Sequence, residues 1–409
     1  MSRALREILV AFLSLLYFVE GRSTKTCCPK VDPDAFRNVS QLITNRGYPV
    51  EEHSVITADH FVLGVQRIPH GRAERTRAKA GPKPVVFLQH GLLADSSNWV
   101  QNYWWDSLGY ILADKGFDVW LGNVRGNRYS RRHLFLKPRQ KEFWDWSFQE
   151  MAKYDIPAML EHALNVSGQA QLFYIGHSQG TLVGFTGFSA NPELAKKVKL
   201  FIALAPIFYL THTAKIMRDL AFTFNPIEEF LHPLGENEFL PGRVLQELID
   251  IGFCGEKWSE KTCYDIGEIV FGFDDSNSNM SRVPVYLSNF PAGTSFKNII
   301  HFGQVSHSSG RCQMFDYGRK GNQQHYHQDS PPVYDVTKMT TPTAFFFGGR
   351  DTLSNATDVE RLMPEIPHLK FHENIPRWNH VDFVFGIDAA KTMYYNIANI
   401  MKEALMAEQ

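Results

Sequence analysis

Short runs of apolar residues recur along the chain, and most are followed by a turn and then by a stretch with helical spacing. Six of these runs predict buried strands, because strands covered on both faces need near-continuous apolar sequence. They are residues 85–91, 117–123, 171–178, 199–207, 343–349 and 369–375. Since strands and helices alternate, the sequence predicts an α/β fold, with a mostly parallel central sheet and helices on both faces.

Helix signals lie between these runs. Ser147 and Glu150 have the spacing of a capping box, Asp155 suits the start of a second helix, and Gly168 suits its end. Residues 45–71 alternate between apolar and polar positions, which predicts antiparallel strands ahead of the parallel sheet.

The regular alternation stops between about residues 211 and 332, a stretch rich in Asn, Pro, Gly, Phe and His. This stretch lies between the fourth and fifth predicted strands. We therefore expect residues 211–332 to be an inserted, mainly helical cap domain, and not a second independent domain. The core would consist of residues 24–210 and 333–409.

The N-terminal residues have the pattern of a secretory signal peptide. Arg3 and Arg6 precede an apolar run over residues 8–19, and small and polar residues follow it. A membrane anchor is the alternative, but the run is short for a span. We predict that residues 1–23 are removed and that the mature protein, without a transmembrane span, is lysosomal or secreted.

Composition narrows the function classes. The chain has 409 residues, of which 44% are hydrophobic and 21% charged, with a net charge of −1. These values predict a globular protein with a full core. They give no support for binding to nucleic acid or for electrostatic attachment to an anionic membrane. No feature of the sequence specifies an oligomeric state.

The five cysteines lack the spacing of a metal site, and the sequence predicts neither a metal nor a cofactor. Cys254 and Cys263 are close enough for a local disulfide in an oxidising compartment, with two free buried thiols as the alternative. The pairing of Cys27, Cys28 and Cys312 is left open. The sequons, each a candidate glycosylation site, begin at Asn38, Asn165, Asn279 and Asn355.

Ser178 lies in the segment GHSQG, directly after a predicted strand and before the apolar helix GTLVGF. This strand–turn–helix setting favours a nucleophilic serine over a simple glycine-rich turn. Gly176 and Gly180 would allow the tight turn, because a side chain at either position would collide with the neighbouring strand or helix.

A serine needs a base, and in this kind of sheet the acid and the histidine follow it in that order. Asp351 comes directly after the fifth predicted strand, whereas Asp358 falls in a helical stretch and is interpreted as a solvated residue. His372 lies within the sixth strand and His380 follows it. We therefore predict Asp351 as the acid and His380 as the base.

An oxyanion intermediate needs preorganised N–H donors. The sequence predicts the backbone N–H of Gln179, which follows the nucleophile, and that of Leu92. Leu92 lies in the loop HGLL after the first buried strand, where Gly91 lets the chain turn and Leu93 helps to exclude water.

Six segments together resemble the acid lipase family, the gastric and lysosomal acid lipases. They are LQHGLLADSSNW, DVWLGNVRGNRYSRRH, FWDWSFQEMAKYDIPAML, IGHSQGT, GGRDTLSNATDV and NHVDFVFGIDA, and the match runs from about Asp34 to the end. The resemblance implies an α/β-hydrolase core, a helical cap with a mobile lid, and the same five site residues. Cys254 and Cys263 match the spacing of the family's cap disulfide, whereas Cys312 stands where the family usually has lysine or a similar residue.

The resemblance implies a serine ester hydrolase, a lipase acting through an acyl-enzyme on neutral lipid at an interface. Triacylglycerol and cholesteryl ester both fit that chemistry. The candidate lid, with packed cap core as the alternative, contains Phe222, Phe224, Phe230 and Leu231. Two other functions are kept as alternatives: a hydrolase of small soluble esters, and a non-catalytic secreted lipid-binding protein.

Overall fold

A nine-stranded sheet forms the centre of the protein in the computed structural model, which describes residues 32–73, 81–215, 218, 238–239 and 276–407. Its strands are β1 (Glu51–Ile56), β2 (Phe61–Ile68), β3 (Val85–Gln89), β4 (Asp118–Gly122), β5 (Arg132–His133), β6 (Leu172–His177), β7 (Val198–Leu204), β10 (Thr343–Gly348) and β11 (Leu369–Ile375). A separate pair consists of β8 (Glu238–Phe239) and β9 (Thr294–Ser295).

The strands follow the order β1-β2-β4-β3-β6-β7-β10-β11, and β5 pairs with β2. All neighbours from β4 to β11 are parallel, whereas β1, β2 and β5 pair antiparallel. The predicted mostly parallel sheet and its antiparallel approach are therefore confirmed. The carboxyl ends of the parallel strands share one edge, where ligands bind in open α/β sheets.

Burial on both faces explains the continuous apolar runs. Along β3, Val86 and Leu88 belong to the core cluster on one face, whereas Val85 and Phe87 belong to the cluster on the other. The edge strand β11 differs, because buried or half-buried residues alternate there with exposed ones such as His372.

Helices cover both faces of the sheet. The α-helices are α1 (Val39–Asn45), α2 (Leu108–Asp114), α3 (Phe148–Glu150 and Ile156–Ser167), α4 (Gln179–Ala190), α5 (Pro192–Ala195), α6 (Val283–Asn289), α7 (Phe296–Ser306), α8 (Gly318–Tyr326), α9 (Ala356–Leu362), α10 (Asp382–Phe385) and α11 (Tyr395–Met406). π-helical turns at Met151–Asp155 and Ala390–Tyr394 interrupt α3 and precede α11. Short 3₁₀ helices are Pro33–Phe36, Ser96–Trp99, Lys141–Trp144, Met280–Arg282, Val336–Lys338 and Met363–Glu365.

Helix α3 has the predicted capping box and the predicted end, but it lacks the predicted cap at Asp155. The capping box forms, because the Ser147 N–H donates to Glu150 Oε2 at 2.7 Å. The α-helical segment resumes at Ile156, after Asp155, but Asp155 makes no side-chain cap, since its carboxylate accepts the guanidinium N–H groups of buried Arg125. The helix continues through its π-helical turn and ends at Gly168 in the left-handed region, as expected.

The stretch between β7 and β10 contains α6, α7, α8 and the β8–β9 pair. Helix α6 packs into the main core, where Tyr286 stacks on Phe385 with ring centroids 4.4 Å apart. The candidate lid residues, residues 1–23 and the cysteine pair Cys254–Cys263 lie outside the described residues. Within the described ranges, no helix has the length and apolarity needed to cross a membrane.

Candidate active site

Ser178 occupies a sharp turn between β6 and α4. Its backbone lies at φ 54° and ψ −121°, a conformation that non-glycine residues rarely adopt. A Cβ at Gly180 would lie 2.3 Å from the Gln89 carbonyl oxygen, and one at Gly176 would lie 2.6 Å from the Gly180 backbone. The steric reason for both glycines is confirmed, and the turn presents the Ser178 hydroxyl at the carboxyl edge of the sheet.

Ser178, His380 and Asp351 form one hydrogen-bonded chain. His380 Nε2 lies 2.7 Å from Ser178 Oγ, and His380 Nδ1 lies 2.8 Å from Asp351 Oδ2. All three residues are buried. The structure thus brings together residues that the sequence separates by up to 202 positions.

The Asp351 carboxylate is held on both oxygens. Its Oδ1 accepts the backbone N–H groups of Leu353 and Ser354, both at 2.8 Å. Because an ionised carboxylate only accepts hydrogen bonds, His380 must donate through Nδ1. Nε2 is then free to accept the Ser178 proton, which is the arrangement that a general base requires.

Asp358 is not the solvated residue that the sequence suggested. It is buried in α9, where its oxygens accept the backbone N–H and the ring Nδ1 of His212, both at 2.8 Å. The helical pattern shows that Asp358 lies on a helix but not which neighbour packs against it. It contacts neither Ser178 nor His380, and His372 lies exposed on β11.

The loop after β3 approaches Ser178 closely. A Cβ at Gly91 would lie 3.0 Å from the Cβ of Ser178, so only glycine fits without a shift. His90 Nδ1 lies 2.8 Å from the Gly91 carbonyl oxygen, while its Nε2 faces the Val124 N–H. These contacts fix the peptide that leads into Leu92. Burial lowers the pKa of His90 to about 4.

The backbone N–H groups of Leu92 and Gln179 are the predicted oxyanion donors. Gln179 directly follows Ser178, and Leu92 follows Gly91, where an added Cβ would lie 3.0 Å from the Cβ of Ser178. Among the described residues, neither N–H donates to a protein acceptor. Gln179 is the first residue of α4, where N–H groups have no partner within the helix. Both donors are therefore available for a developing negative charge.

His177 is a site residue that sequence reasoning missed. Its Nε2 lies 2.9 Å from the His380 carbonyl oxygen, and the two rings are 5.0 Å apart. Burial, together with the nearby His380, lowers the pKa of His177 to about 3. Its place beside Ser178 in GHSQG was the available signal, but the sequence could not show the contact with His380.

An apolar cluster lies next to this loop. Leu92 and Leu93 are half-buried and pack against Phe239, Phe296 and Ile299. The side chains come from the loop after β3, from β8 and from α7, so the segment between β7 and β10 contributes to the lining. Such a surface suits an acyl chain and disfavours water.

The remaining predicted residues are the sequon asparagines and Cys312. Asn38 and Asn165 are exposed, and Asn279 and Asn355 are half-buried. Cys312 is buried and free, and burial raises its pKa. Within the described ranges, no cluster of three or more His, Cys, Asp or Glu side chains could hold a metal ion.

A parallel sheet with a serine turn after a central strand, and with an acid and a histidine after later strands, defines an α/β-hydrolase. Two family models match: a partial alpha/beta-hydrolase lipase region over residues 39–103, and the alpha/beta hydrolase fold over residues 84–225. The chain belongs to the acid lipase family. It is 47% identical to the lysosomal acid lipase/cholesteryl ester hydrolase of Rattus norvegicus, over 91% of this chain and 93% of that protein.

Two further comparisons agree with this membership. The gastric triacylglycerol lipase of Homo sapiens is 44% identical over 91% of this chain and 92% of its own length. A solved structure of a soluble variant of monoglyceride lipase from Saccharomyces cerevisiae has a TM-score of 0.51 at 13% identity, covering 94% of this chain and 97% of that chain. At that identity, the likeness is one of fold.

Proposed function

We propose that the protein is a serine ester hydrolase, a lipase that cleaves acyl esters of neutral lipids through an acyl-enzyme. The observation that carries the proposal is the hydrogen-bonded chain from Ser178 through His380 to Asp351. Ser178 is the nucleophile, His380 is the general base, and Asp351 orients the imidazole. A lipid-binding protein without catalysis would have no need of this geometry.

In the acylation step, Ser178 Oγ attacks the ester carbonyl carbon while its proton passes to His380 Nε2. The carbonyl oxygen becomes an oxyanion, which the N–H groups of Leu92 and Gln179 stabilise. Each such donor is worth about 2.7–4 kcal/mol of barrier. The tetrahedral intermediate then collapses, and the alcohol leaves with the proton from Nε2.

In the deacylation step, water takes the place of the alcohol. His380 accepts a proton from the water as its oxygen attacks the acyl-serine carbonyl, and the same N–H pair stabilises the second oxyanion. Collapse releases the fatty acid and returns the proton to Ser178 Oγ. Asp351 stays ionised throughout and favours the transient imidazolium.

The proposed substrates are triacylglycerol and cholesteryl ester. The apolar cluster around Leu92 and Phe296 supports an acyl chain as the bound group. The names of two relatives, a cholesteryl ester hydrolase and a triacylglycerol lipase, support these two alcohols. A lysosomal or secreted location is proposed on the same names and on the signal-peptide pattern of residues 1–23.

A substrate panel tests this function. Purified protein would be assayed with triolein, cholesteryl oleate and a dissolved short-chain ester at pH 4.5 and pH 7.5, with Ser178→Ala as the control. We expect one or both lipids to be hydrolysed by the wild type and turnover to fall by about 10⁴–10⁶ in Ser178→Ala. Hydrolysis of the short-chain ester alone would favour the soluble-ester alternative, and no hydrolysis would favour a binding protein.

We also propose that residues 211–332 form a cap whose lid contains Phe222 and Phe224. Opening an apolar lid in water exposes its surface, at roughly 25 cal/mol per Å². An interface removes that penalty, so activity should rise sharply when an ester forms droplets. Phe222→Asp or Phe224→Asp should blunt this rise and leave slow hydrolysis of dissolved ester intact. A smooth saturation curve in all three proteins would contradict a lid.

A further inference from the structure

Asn298 contacts the residue that follows the nucleophile. It lies on α7, is fully buried, and its Nδ2 donates to the Gln179 side-chain Oε1 at 2.7 Å. Gln179 is also buried, and its Nε2 faces Met151 Sδ at 3.5 Å. The Gln179 side chain is therefore held at both ends of its amide, on the residue whose N–H we assign to the oxyanion.

The Asn298 amide has only one orientation that satisfies its surroundings. Its Oδ1 accepts the Phe148 backbone N–H at 2.8 Å, while the Nδ2 group also faces Thr294 Oγ1 at 3.1 Å. If the oxygen and nitrogen of the Asn298 amide were exchanged, its NH₂ group would face the Phe148 N–H, donor against donor. Its oxygen would face Gln179 Oε1, acceptor against acceptor. The hydrogen bond to Gln179 is thus set by its neighbours.

Helix α7 provides a rigid base for this contact. Ser295 caps the helix, accepting the Asn298 backbone N–H at 3.0 Å and donating to the Trp146 carbonyl oxygen at 2.5 Å. One turn further, His301 lies between Ser147 Oγ and the Gln313 carbonyl oxygen, each at 2.9 Å. Buried polar contacts on successive turns therefore hold α7 against the start of α3.

We propose that Asn298 is a positioning residue for the oxyanion hole: by holding the Gln179 side chain, it aims the Gln179 N–H at the reacting oxygen. The proposal rests on the proposed function. Without Asn298, the buried Oε1 of Gln179 has no donor, and the residue must shift to find one. An oxyanion donor tolerates little movement, because a displacement of about 1 Å can cost about 100-fold in rate.

This contact links the catalytic turn to the segment between β7 and β10. Gln179 and Asn298 are separated by 119 positions, and Asn298 belongs to the same helix as Phe296 and Ile299 of the apolar cluster. An acyl chain that packs against α7 would therefore press on the helix that holds the donor. Helix α7 would therefore contact the acyl chain of the substrate and also hold the residue that stabilises the transition state.

A double-mutant cycle with Asn298→Ala and Gln179→Met tests the proposal on a dissolved ester. We expect each single variant to lower kcat about 10–100-fold with KM nearly unchanged, and the double variant to be no slower than the slower single variant. Gln179→Met keeps the side-chain length and leaves α7 unaltered, so it remains informative if Asn298→Ala fails to fold.

Thr294→Val is the matched control, because it removes the other acceptor of Asn298 Nδ2 and leaves the contact with Gln179. Its kcat should stay within about twofold of wild type, and the pH profile of kcat/KM should keep its midpoint in every variant. Wild-type kcat in Asn298→Ala or Gln179→Met, multiplicative losses, or an equal loss in Thr294→Val would overturn the inference. Absence of hydrolysis of triolein, cholesteryl oleate and the dissolved ester by the wild type would instead overturn the proposed function.

Discussion

His177 donates a hydrogen bond from Nε2 to the backbone carbonyl oxygen of His380 at 2.9 Å, so the residue before Ser178 supports the backbone of His380. Burial disfavours a second proton on His177, because its Nδ1 is buried and has no hydrogen-bond partner among the described residues. The site thus combines one histidine that must gain and lose a proton with another that must not.

Three buried histidines should make the fold less stable in acid. Burial lowers the pKa of His90 to about 4, and of His177 and His301 to about 3, below the unfolded value of about 6.5. The unfolded chain therefore takes up protons first. The stability linked to these groups is complete above pH 6.5 and falls as the pH drops toward 3, by the order of 2 kcal/mol each at pH 5.

The variant His301→Gln tests this loss of stability in acid, because glutamine can replace both hydrogen bonds of His301 and does not titrate. We expect its free energy of unfolding in urea to fall less than that of wild type between pH 7.5 and pH 5. The exposed His368→Gln serves as the control and should parallel wild type. Parallel curves for all three proteins would contradict the prediction.

Asp106 should have the opposite dependence on pH. Burial, and then the nearby Asp388, raise the pKa of its carboxyl to about 7, although it accepts the Ala390 N–H. Its stabilising contribution is complete below the unfolded value of about 3.9 and is lost as the pH rises through 7. Asp106→Asn keeps the acceptor and cannot ionise. Its melting temperature should exceed that of wild type by a few degrees at pH 8 and match it near pH 4; a constant difference would refute this.

Asp351→Asn should lower kcat by about 10⁴ with little change in KM. The asparagine would still accept the Leu353 and Ser354 N–H groups, but its amide would favour the wrong tautomer of His380. Asp358→Asn is a demanding control, because Asp358 is equally buried yet pairs with His212. Steady-state kinetics of both variants on one ester would decide which aspartate is the acid. A greater loss in Asp358→Asn would reverse the assignment of the acid.

Two glycines of α4 should respond oppositely to alanine. At Gly180 the new methyl would lie 2.3 Å from the Gln89 carbonyl oxygen, and we expect a loss of about 2–4 kcal/mol in unfolding free energy. At Gly187 the nearest atom, the Ala152 carbonyl oxygen, is 3.4 Å away, and alanine should add about 0.5–1 kcal/mol. Urea unfolding measures both. Equal effects would show that helix propensity, and not the close approach, dominates.

Cys254 and Cys263 should be linked in the mature protein, since their spacing closes a short loop worth about 2–3 kcal/mol in the chain-entropy model. Peptide mapping without reduction should recover both in one cross-linked fragment that reduction separates. Pairing of either with Cys312 is not expected, because the Cys312 thiol is buried and free. Recovery of two separate alkylated peptides would support the free thiols instead.

The central sheet was predicted correctly because its strands carry a local signal in the sequence. The strands around Phe87 and Tyr174 are apolar on both faces, and their turns carry the residues that the chemistry needs. Ser178, Asp351 and His380 could be selected because each follows a strand in the expected order. The order of these residues along the chain is enough to place them near one another, because parallel strands bring their carboxyl ends to one edge of the sheet.

The features that were missed depend on partners distant in sequence. Asp358 was predicted to be solvated, although it is buried, because a helical pattern does not show that His212 packs against it. Asp155 precedes the α-helical segment that begins at Ile156, but the sequence could not show that its carboxylate pairs with Arg125 and makes no cap. The contact between Gln179 and Asn298 joins α4 to α7, and neither residue is unusual for its place. Buried polar pairs of this kind are specified by the assembled fold.

The separation of 202 positions between Ser178 and His380 also determines when each residue is made during translation. During synthesis at about 5–20 residues per second, the serine precedes its base by about 10–40 s. Strands β3, β4, β6 and β7 can meet in that interval, but β11 and the residue that follows it do not yet exist. A growing chain thus carries the Ser178 hydroxyl without its base, and esterase chemistry can begin only after His380 has been synthesised.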